Sequence, residues 1–357
     1  IKESEKDYVI ALEQGIMDAA YNLGMLYESQ GRNKEAEDYY LFAISNGVSN
    51  TWNNLSVLYF NQERINEAER NYLKAIEHGN KRAFFNLALL YMSQKEFNKA
   101  EIYYQLAINN GVTEAFYNLA LLYDTQGNIV KAEENYLLAI SNGIDEALYN
   151  LAHFYEGQGN LKQAEHYYKL SIEKGIKDAI LNLGFLYGNQ GRIKEAEYYY
   201  TIGINQNIPE AYSNLAILYY QNNLYKVKAL TLIKQYDSIN HSYVSAKNLI
   251  VIEIWNGIFD NVEEKINQLL LEYGYEELDW LLENLLYLEQ KHLVLSLFEN
   301  EHHGKELRKR YALLYYATLL LSNKVENNLE LRIPPEVQPT VQEIIEKVKE
   351  KNVFYAQ

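Results

Sequence analysis

"AFYNLALLYDTQGNIVKAEENYLLAISNGIDEALYNLAHFYEGQGN", residues 115–160, says nearly the same thing twice, with Tyr-Asn-Leu-Ala at Tyr117 and again at Tyr149. The Asn-Leu pair recurs at Asn22, Asn54, Asn86, Asn118, Asn150, Asn182 and Asn214, always 32 positions on. A fixed period of that size marks a stack of supersecondary units that bury one continuous core between them. The 357 residues therefore count repeats rather than separate globular domains.

Within one unit, Phe116, Leu119, Leu122 and Tyr123 follow the three-and-four spacing of a single helix face. Gln126-Gly127 ends that helix, because glycine enters the left-handed conformation after a helix end with no Cβ penalty. Ala132, Tyr136, Ala139 and Ile140 form the face of a second helix, closed by Asn142-Gly143. Each unit is a helical hairpin of a helix A and a helix B. Small residues recur on helix A at Gly24, Ser56, Ala88, Ala120, Ala152, Gly184 and Ala216, and on helix B at Ala36, Ala68, Ala100, Ala132, Ala164 and Ala196. Tyr40, Tyr72, Tyr104, Tyr136, Tyr168 and Tyr200 stand between them, the size complementarity a dense core requires.

Leu119, Ala120, Tyr123, Ala132, Tyr136 and Ala139 stand in the order and spacing of the tetratricopeptide repeat signature, and the chain resembles that family up to about residue 235. The resemblance implies an all-α fold, an α-solenoid of stacked helical hairpins in a right-handed superhelix. The family's usual period is 34 residues. The period of 32 and the short link "AISNGIDEA" from Ala139 to Ala147, with Asn-Gly where the family places proline, are similar instead to the Sel-one-like repeats.

Three segments follow. Residues 1–235 form the solenoid, with a truncated first repeat because "EKDYVIALEQG" from Glu5 matches only the second half of a unit. Residues 236–325 hold a degenerate repeat, with an Asn-Leu pair at Asn248, and a helical cap from "LDWLLENLLYLEQ" and "RYALLYYATLLLS". Asp260 with Glu263 predicts a capping box in this region. Residues 326–357 are read as a linker carrying Pro334, Pro335 and Pro339, then a final helix that Thr340 and Glu343 open.

With 33 Lys+Arg against 48 Asp+Glu the net charge is −15, which repels a polyanion, so nucleic acid is excluded as the expected ligand. The chain has no cysteine, and no run reaches the roughly 18 to 20 apolar residues of a spanning helix. The location expected is cytoplasmic. No Gly-rich phosphate loop, HExxH helix or GxSxG elbow is present, and His302-His303, in a charged turn, is read as solvated loop. The expectation is a non-enzyme with no cofactor and no metal.

In a solenoid of this kind helix A lines the concave surface. Asn22, Asn54, Asn86, Asn118, Asn150, Asn182 and Asn214 occupy equivalent positions there, and an amide offers the donor and acceptor that complement a peptide backbone. The resemblance implies the same use, since an asparagine ladder at this column holds extended chains in members of the family; local packing is the competing reading. Tyr21, Phe85, Tyr117 and Tyr149 flank the column on one side, and Leu89, Leu121, His153 and Phe185 on the other. Asp18, Glu114, Glu146, Asp178 and Glu210 edge the face. The cationic residues with which related domains grip a C-terminal carboxylate are missing. The expected partner is a protein or peptide with apolar and some basic side chains, bound in the groove, and the exposed half-repeat adds self-association as a further expectation. The alternative is a sensor or substrate-recruiting arm of a larger enzyme or signalling ATPase whose catalytic part lies elsewhere.

Overall fold

The computed structural model describes residues 2–274, 278–300 and 340–347, with single positions between 304 and 318. The proline-bearing linker, the His302-His303 pair and most of "RYALLYYATLLLS" lie outside the described residues. All regular structure described is helical. The chain divides into two compact units, Ile1–Ile176 and Lys177–Gln357.

The first unit opens with α1 (Lys2–Glu13) and continues as five hairpins. These are α2 (Asp18–Ser29) with α3 (Asn33–Ser45), α4 (Thr51–Asn61) with α5 (Ile65–Glu77), α6 (Arg82–Ser93) with α7 (Phe97–Asn109), α8 (Glu114–Thr125) with α9 (Ile129–Ser141), and α10 (Glu146–Gly157) with α11 (Leu161–Glu173). The second unit holds two hairpins in the same register, α12 (Asp178–Asn189) with α13 (Ile193–Asn205) and α14 (Glu210–Gln221) with α15 (Lys226–Ile239). It continues with α16 (Tyr243–Trp255), α17 (Val262–Tyr273), α18 (Asp279–Tyr287) and α19 (Lys291–Glu299). Residues 340–347 are helical, where a final helix is expected.

The turns follow the punctuation of the sequence. Gly31 sits at φ 72° and donates to Glu28 O, while Arg32 N reaches back to Tyr27 O at 2.9 Å, closing the end of α2. Glu63 and Lys95 hold the same turn position at φ 59° and 60°, where a side chain is strained. The capping box expected at Asp260 and Glu263 does not form. The chain enters α17 through Asn261 at φ 53°, with no side-chain cap, so Asp260 is carried away from the cap position. A box is found at α16, where Ser242 N donates to Ser245 Oγ at 2.8 Å and Ser245 N to Ser242 Oγ at 3.3 Å.

The core follows the columns. The six helix-B alanines from Ala36 to Ala196 are fully buried, and the six tyrosines from Tyr40 to Tyr200 are buried with them. A Cβ at Gly24 would collide with the Tyr40 ring, and one at Gly184 with the Tyr200 ring, so the smallest residue stands where the tyrosine presses closest. Ala132→Leu is expected to cost about 1–3 kcal/mol by overpacking. Asn142→Ser, in an exposed turn, is expected to stay within about 0.5 kcal/mol of the parent. Denaturant melts of the two variants check this, and equal midpoints would refute the assigned faces.

A second ladder ties neighbouring hairpins together. A helix-A tyrosine donates its hydroxyl to a glutamate on the preceding helix B: Tyr27 to Glu5 at 2.8 Å, Tyr59 to Glu37 at 2.9 Å, Tyr91 to Glu69 at 2.6 Å, Tyr123 to Glu101 at 2.6 Å and Tyr155 to Glu133 at 2.5 Å. In the second unit Tyr219 donates to Glu197 at 2.5 Å. Cations cover the rings: Arg32 on Tyr27, Arg64 on Tyr59, Lys99 on Tyr91, Lys131 on Tyr123, Arg192 on Tyr187 and Lys228 on Tyr219. The Arg64 guanidinium holds the Glu37 carboxyl below its ordinary range, and the Tyr123 hydroxyl does the same for Glu101.

Candidate protein-binding face

On helix A, residues four and three apart share a face. In the first unit this brings together Asp18, Asn22 and Met25 on α2, Asn54 and Val57 on α4, Arg82, Asn86 and Leu89 on α6, Glu114, Asn118 and Leu121 on α8, and Glu146, Asn150 and His153 on α10. In the second unit Asp178, Asn182 and Phe185 share a face of α12, and Glu210, Asn214 and Ile217 one of α14. The seven asparagines are half-buried, as are Val57, Leu89, Leu121 and Ile217, while Met25, His153 and Phe185 are exposed.

The asparagine amides also work inside the protein. Asn54 Nδ2 donates to Tyr21 OH at 3.2 Å, Asn86 Nδ2 to Asn53 Oδ1 at 2.9 Å and Asn150 Nδ2 to Tyr117 OH at 2.7 Å. Asn150 Nδ2 also reaches Glu146 O of its own helix at 3.3 Å. In the three bonds between repeats the acceptor is the residue just before the asparagine of the preceding repeat. Before Asn118 that residue is Phe85, which has no acceptor, and Asn118 turns back to Glu114 O of its own helix at 3.3 Å. Before Asn214 it is Leu181, and no hydrogen bond to the Asn214 side chain occurs among the described residues. The degenerate repeat keeps the device, since Asn248 Nδ2 donates to Ser213 Oγ at 3.1 Å in a buried setting.

The aromatic column beside the asparagines lies against the core tyrosines. Tyr21 packs on Tyr40 with ring centres 6.3 Å apart, Phe85 on Tyr104 at 6.0 Å, Tyr117 on Tyr136 at 6.5 Å and Tyr149 on Tyr168 at 6.1 Å. Phe85 is only 8 % exposed, so it serves the core and presents little surface to a partner. Burial raises the Tyr117 phenol above its ordinary range, and the Asn150 amide partly offsets that. Sequence reading missed the role of Asn53, whose amide oxygen replaces a tyrosine hydroxyl; the spacing of 33 residues to Asn86 is the signal that could have found it. The acidic edge is partly neutralised from within, because Arg82 Nη1 lies 2.7 Å from Glu114 Oε1 and lowers that carboxyl's pKa. Among the described residues no cluster of His, Asp or Glu could hold a metal ion, and no helix is long and apolar enough to cross a membrane.

Stacked helical hairpins presenting one helix face per repeat define an interaction scaffold of the α-solenoid class. Family models described as tetratricopeptide repeat match residues 54–115 in one form and 18–45, 113–142 and 145–173 in another. Residues 18–45, 54–142 and 145–173 thus carry tetratricopeptide repeats. No curated protein matches the sequence. Among solved structures, the C-terminal part of a tetratricopeptide repeat-containing protein from Cytophaga hutchinsonii is similar at 16% identity, covering 64% of this chain and 99% of that one with a TM-score of 0.51. PilF of Pseudomonas aeruginosa is similar at 19% identity, covering 54% of this chain and 91% of that one, with a TM-score of 0.44. The family's fold is generally a non-catalytic platform for protein or peptide partners, and the matched models include no enzyme family.

Proposed function

We propose that the helix-A face of the first unit binds an extended polypeptide, with the asparagines accepting hydrogen bonds from its backbone. One observation carries the reading. Asn86, Asn118 and Asn150 direct their amide hydrogens to their own protein, while among the described residues no donor reaches their Oδ1 atoms. A half-exposed carbonyl oxygen held by its own amide is a fixed acceptor for a ligand N–H. Leu89 and Leu121 lie one turn further along the same face and offer apolar area to alternate side chains. Asp18 and Glu146 at its edge favour basic residues in the ligand. Tyr21 and Tyr117 act behind the face, holding the amides of Asn54 and Asn150, while Phe85 packs into the core. The second unit carries Asn182 and Asn214 at the same sequence positions, with the exposed Phe185 beside Asn182.

The test selects peptides from a random display library and titrates one of them against variants by calorimetry. Each lost hydrogen bond is worth roughly 0.5–1.5 kcal/mol. Asn118→Ala with Asn150→Ala should therefore weaken binding by about 1–3 kcal/mol, or about fivefold to more than a hundredfold. Tyr117→Phe removes one acceptor of the Asn150 amide from behind the face but leaves its bond to Glu146 O, which still holds the Oδ1 in place, so it should lower the melting temperature while affinity stays within about twofold. Asn118→Ala alone separates recognition from packing, because its amide makes no bond to a neighbouring repeat. Unchanged affinity in that variant would sink the ladder.

A further inference from the structure

Six of seven equivalent helix-A tyrosines hold a guanidinium or ammonium group 4.0–5.0 Å above the ring. Tyr155 is the seventh, and among the described residues no cation lies over it. Its joint is otherwise complete, with the hydroxyl on Glu133 at 2.5 Å and Tyr167 stacked on one side at 5.6 Å and 19°. The Tyr123 joint shows what is missing. There Asn128 caps the following helix, as Asn160 does after Tyr155, and Lys131 lies 4.6 Å over the ring and 3.3 Å from Glu101. The position equivalent to Lys131 is Gln163, which is exposed. Tyr155 is accordingly the most exposed of the seven, at 7 % against 5 % or less for the others.

We propose that the Tyr155 joint receives a lysine or arginine side chain from a partner polypeptide, which fills in trans the place that the chain's own cations fill at the other six. Among the described residues Glu133 is a half-buried carboxylate with no ion pair, and its one hydrogen-bonded partner there is a phenol. The negative face of the Tyr155 ring lies beside it, and both attract a cation. The Gln163 side chain is neutral and exposed, so it can swing aside, whereas Asn160 stays committed to its cap. A net charge of −15 draws basic partners toward the surface. Tyr155 follows His153 by two residues, about 200° around α10, so this contact is separate from the asparagine face and stands without it.

The probes are acetylated, amidated Gly-Arg-Gly, its lysine twin and its neutral citrulline twin, titrated into the full chain and read from the tyrosine ring resonances. The two cationic peptides should shift the Tyr155 ring saturably and bind at least about tenfold more tightly than the citrulline peptide, as a desolvated cation–π contact with a carboxylate predicts. Gln163→Lys copies the Tyr123 joint, so it should raise the melting temperature and abolish the shift. Lys131→Gln should open a second site at Tyr123. Equal binding of the citrulline peptide, an undiminished Tyr155 shift in Gln163→Lys, or no new site in Lys131→Gln would overturn the proposal.

Discussion

Tyr104→Ala is expected to cost about 3–5 kcal/mol, the range for truncating a buried aromatic side chain. Tyr104 is 1 % exposed, and its ring packs against Phe85. No side-chain hydrogen bond to its hydroxyl occurs among the described residues, since Met92 stands where Glu28 and Glu156 accept from Tyr40 and Tyr168 at 2.6 Å. The loss is therefore packing alone. Tyr104→Phe should cost little, whereas Tyr40→Phe gives up its bond to Glu28 and should cost about 1 kcal/mol. Each hairpin is stable only against its neighbours, so a cavity in the third hairpin also weakens the joints on both sides of it. Urea melts of the three variants check the order Tyr104→Ala, Tyr40→Phe, Tyr104→Phe. A Tyr104→Ala midpoint matching that of Tyr104→Phe would contradict the assigned core.

The period, the hairpins and the core were legible in the sequence because they depend on residue size and on spacing within one unit. Ala132 must be small and Gly127 must turn wherever the neighbouring repeats lie, so one repeat suffices to read them. The asparagine column was legible as a column but not as a set of roles. Whether the amide reaches the preceding repeat as well as its own helix, as Asn150 does, or its own helix alone, as Asn118 does, depends on the residue 33 positions earlier, Tyr117 or Phe85. The tyrosine–glutamate ladder escaped for a related reason: its partners are 22 residues apart and belong to different repeats, so only a column-by-column reading across units pairs Tyr59 with Glu37. Glu63 and Lys95 at positive φ carry no local signal at all, since the turn geometry is imposed by the helices on either side. Asp260 and Glu263 matched a motif whose backbone the chain does not adopt, because Asn261 enters α17 left-handed.

Raising the pH from about 10 to about 12 should unfold the array, because that is the interval between an ordinary tyrosine and those of the ladder. Burial, and then the carboxylate acceptor, push Tyr27, Tyr59 and Tyr219 each up to about 12, and Tyr91 and Tyr155 are raised by the same causes. Burial also raises the core tyrosines Tyr72, Tyr104 and Tyr200. The unfolded chain releases these protons near pH 10 while the folded chain keeps them. Stability is therefore intact below pH 10 and falls as pH climbs toward 12, by up to about 1.4 kcal/mol per pH unit for each proton by which the two states differ. The lysines act in the same direction, since Lys131 and Lys228 are raised by their tyrosine and glutamate partners and lose that stabilisation on deprotonation. Arg32, Arg64 and Arg192 keep their charge throughout the interval. With several groups releasing together, the loss exceeds that of any single substitution proposed above. Circular dichroism and tyrosinate absorbance followed along one titration should change together, because ionisation of the buried hydroxyls requires opening of the joints. Tyr59→Phe with Tyr123→Phe removes two of the groups, so the helical signal should fall less steeply with pH even though the variant starts from lower stability. Ionisation of all tyrosines near pH 10 with the helical signal intact would show that the ladder hydroxyls are open to solvent and that the joints do not hold the array together.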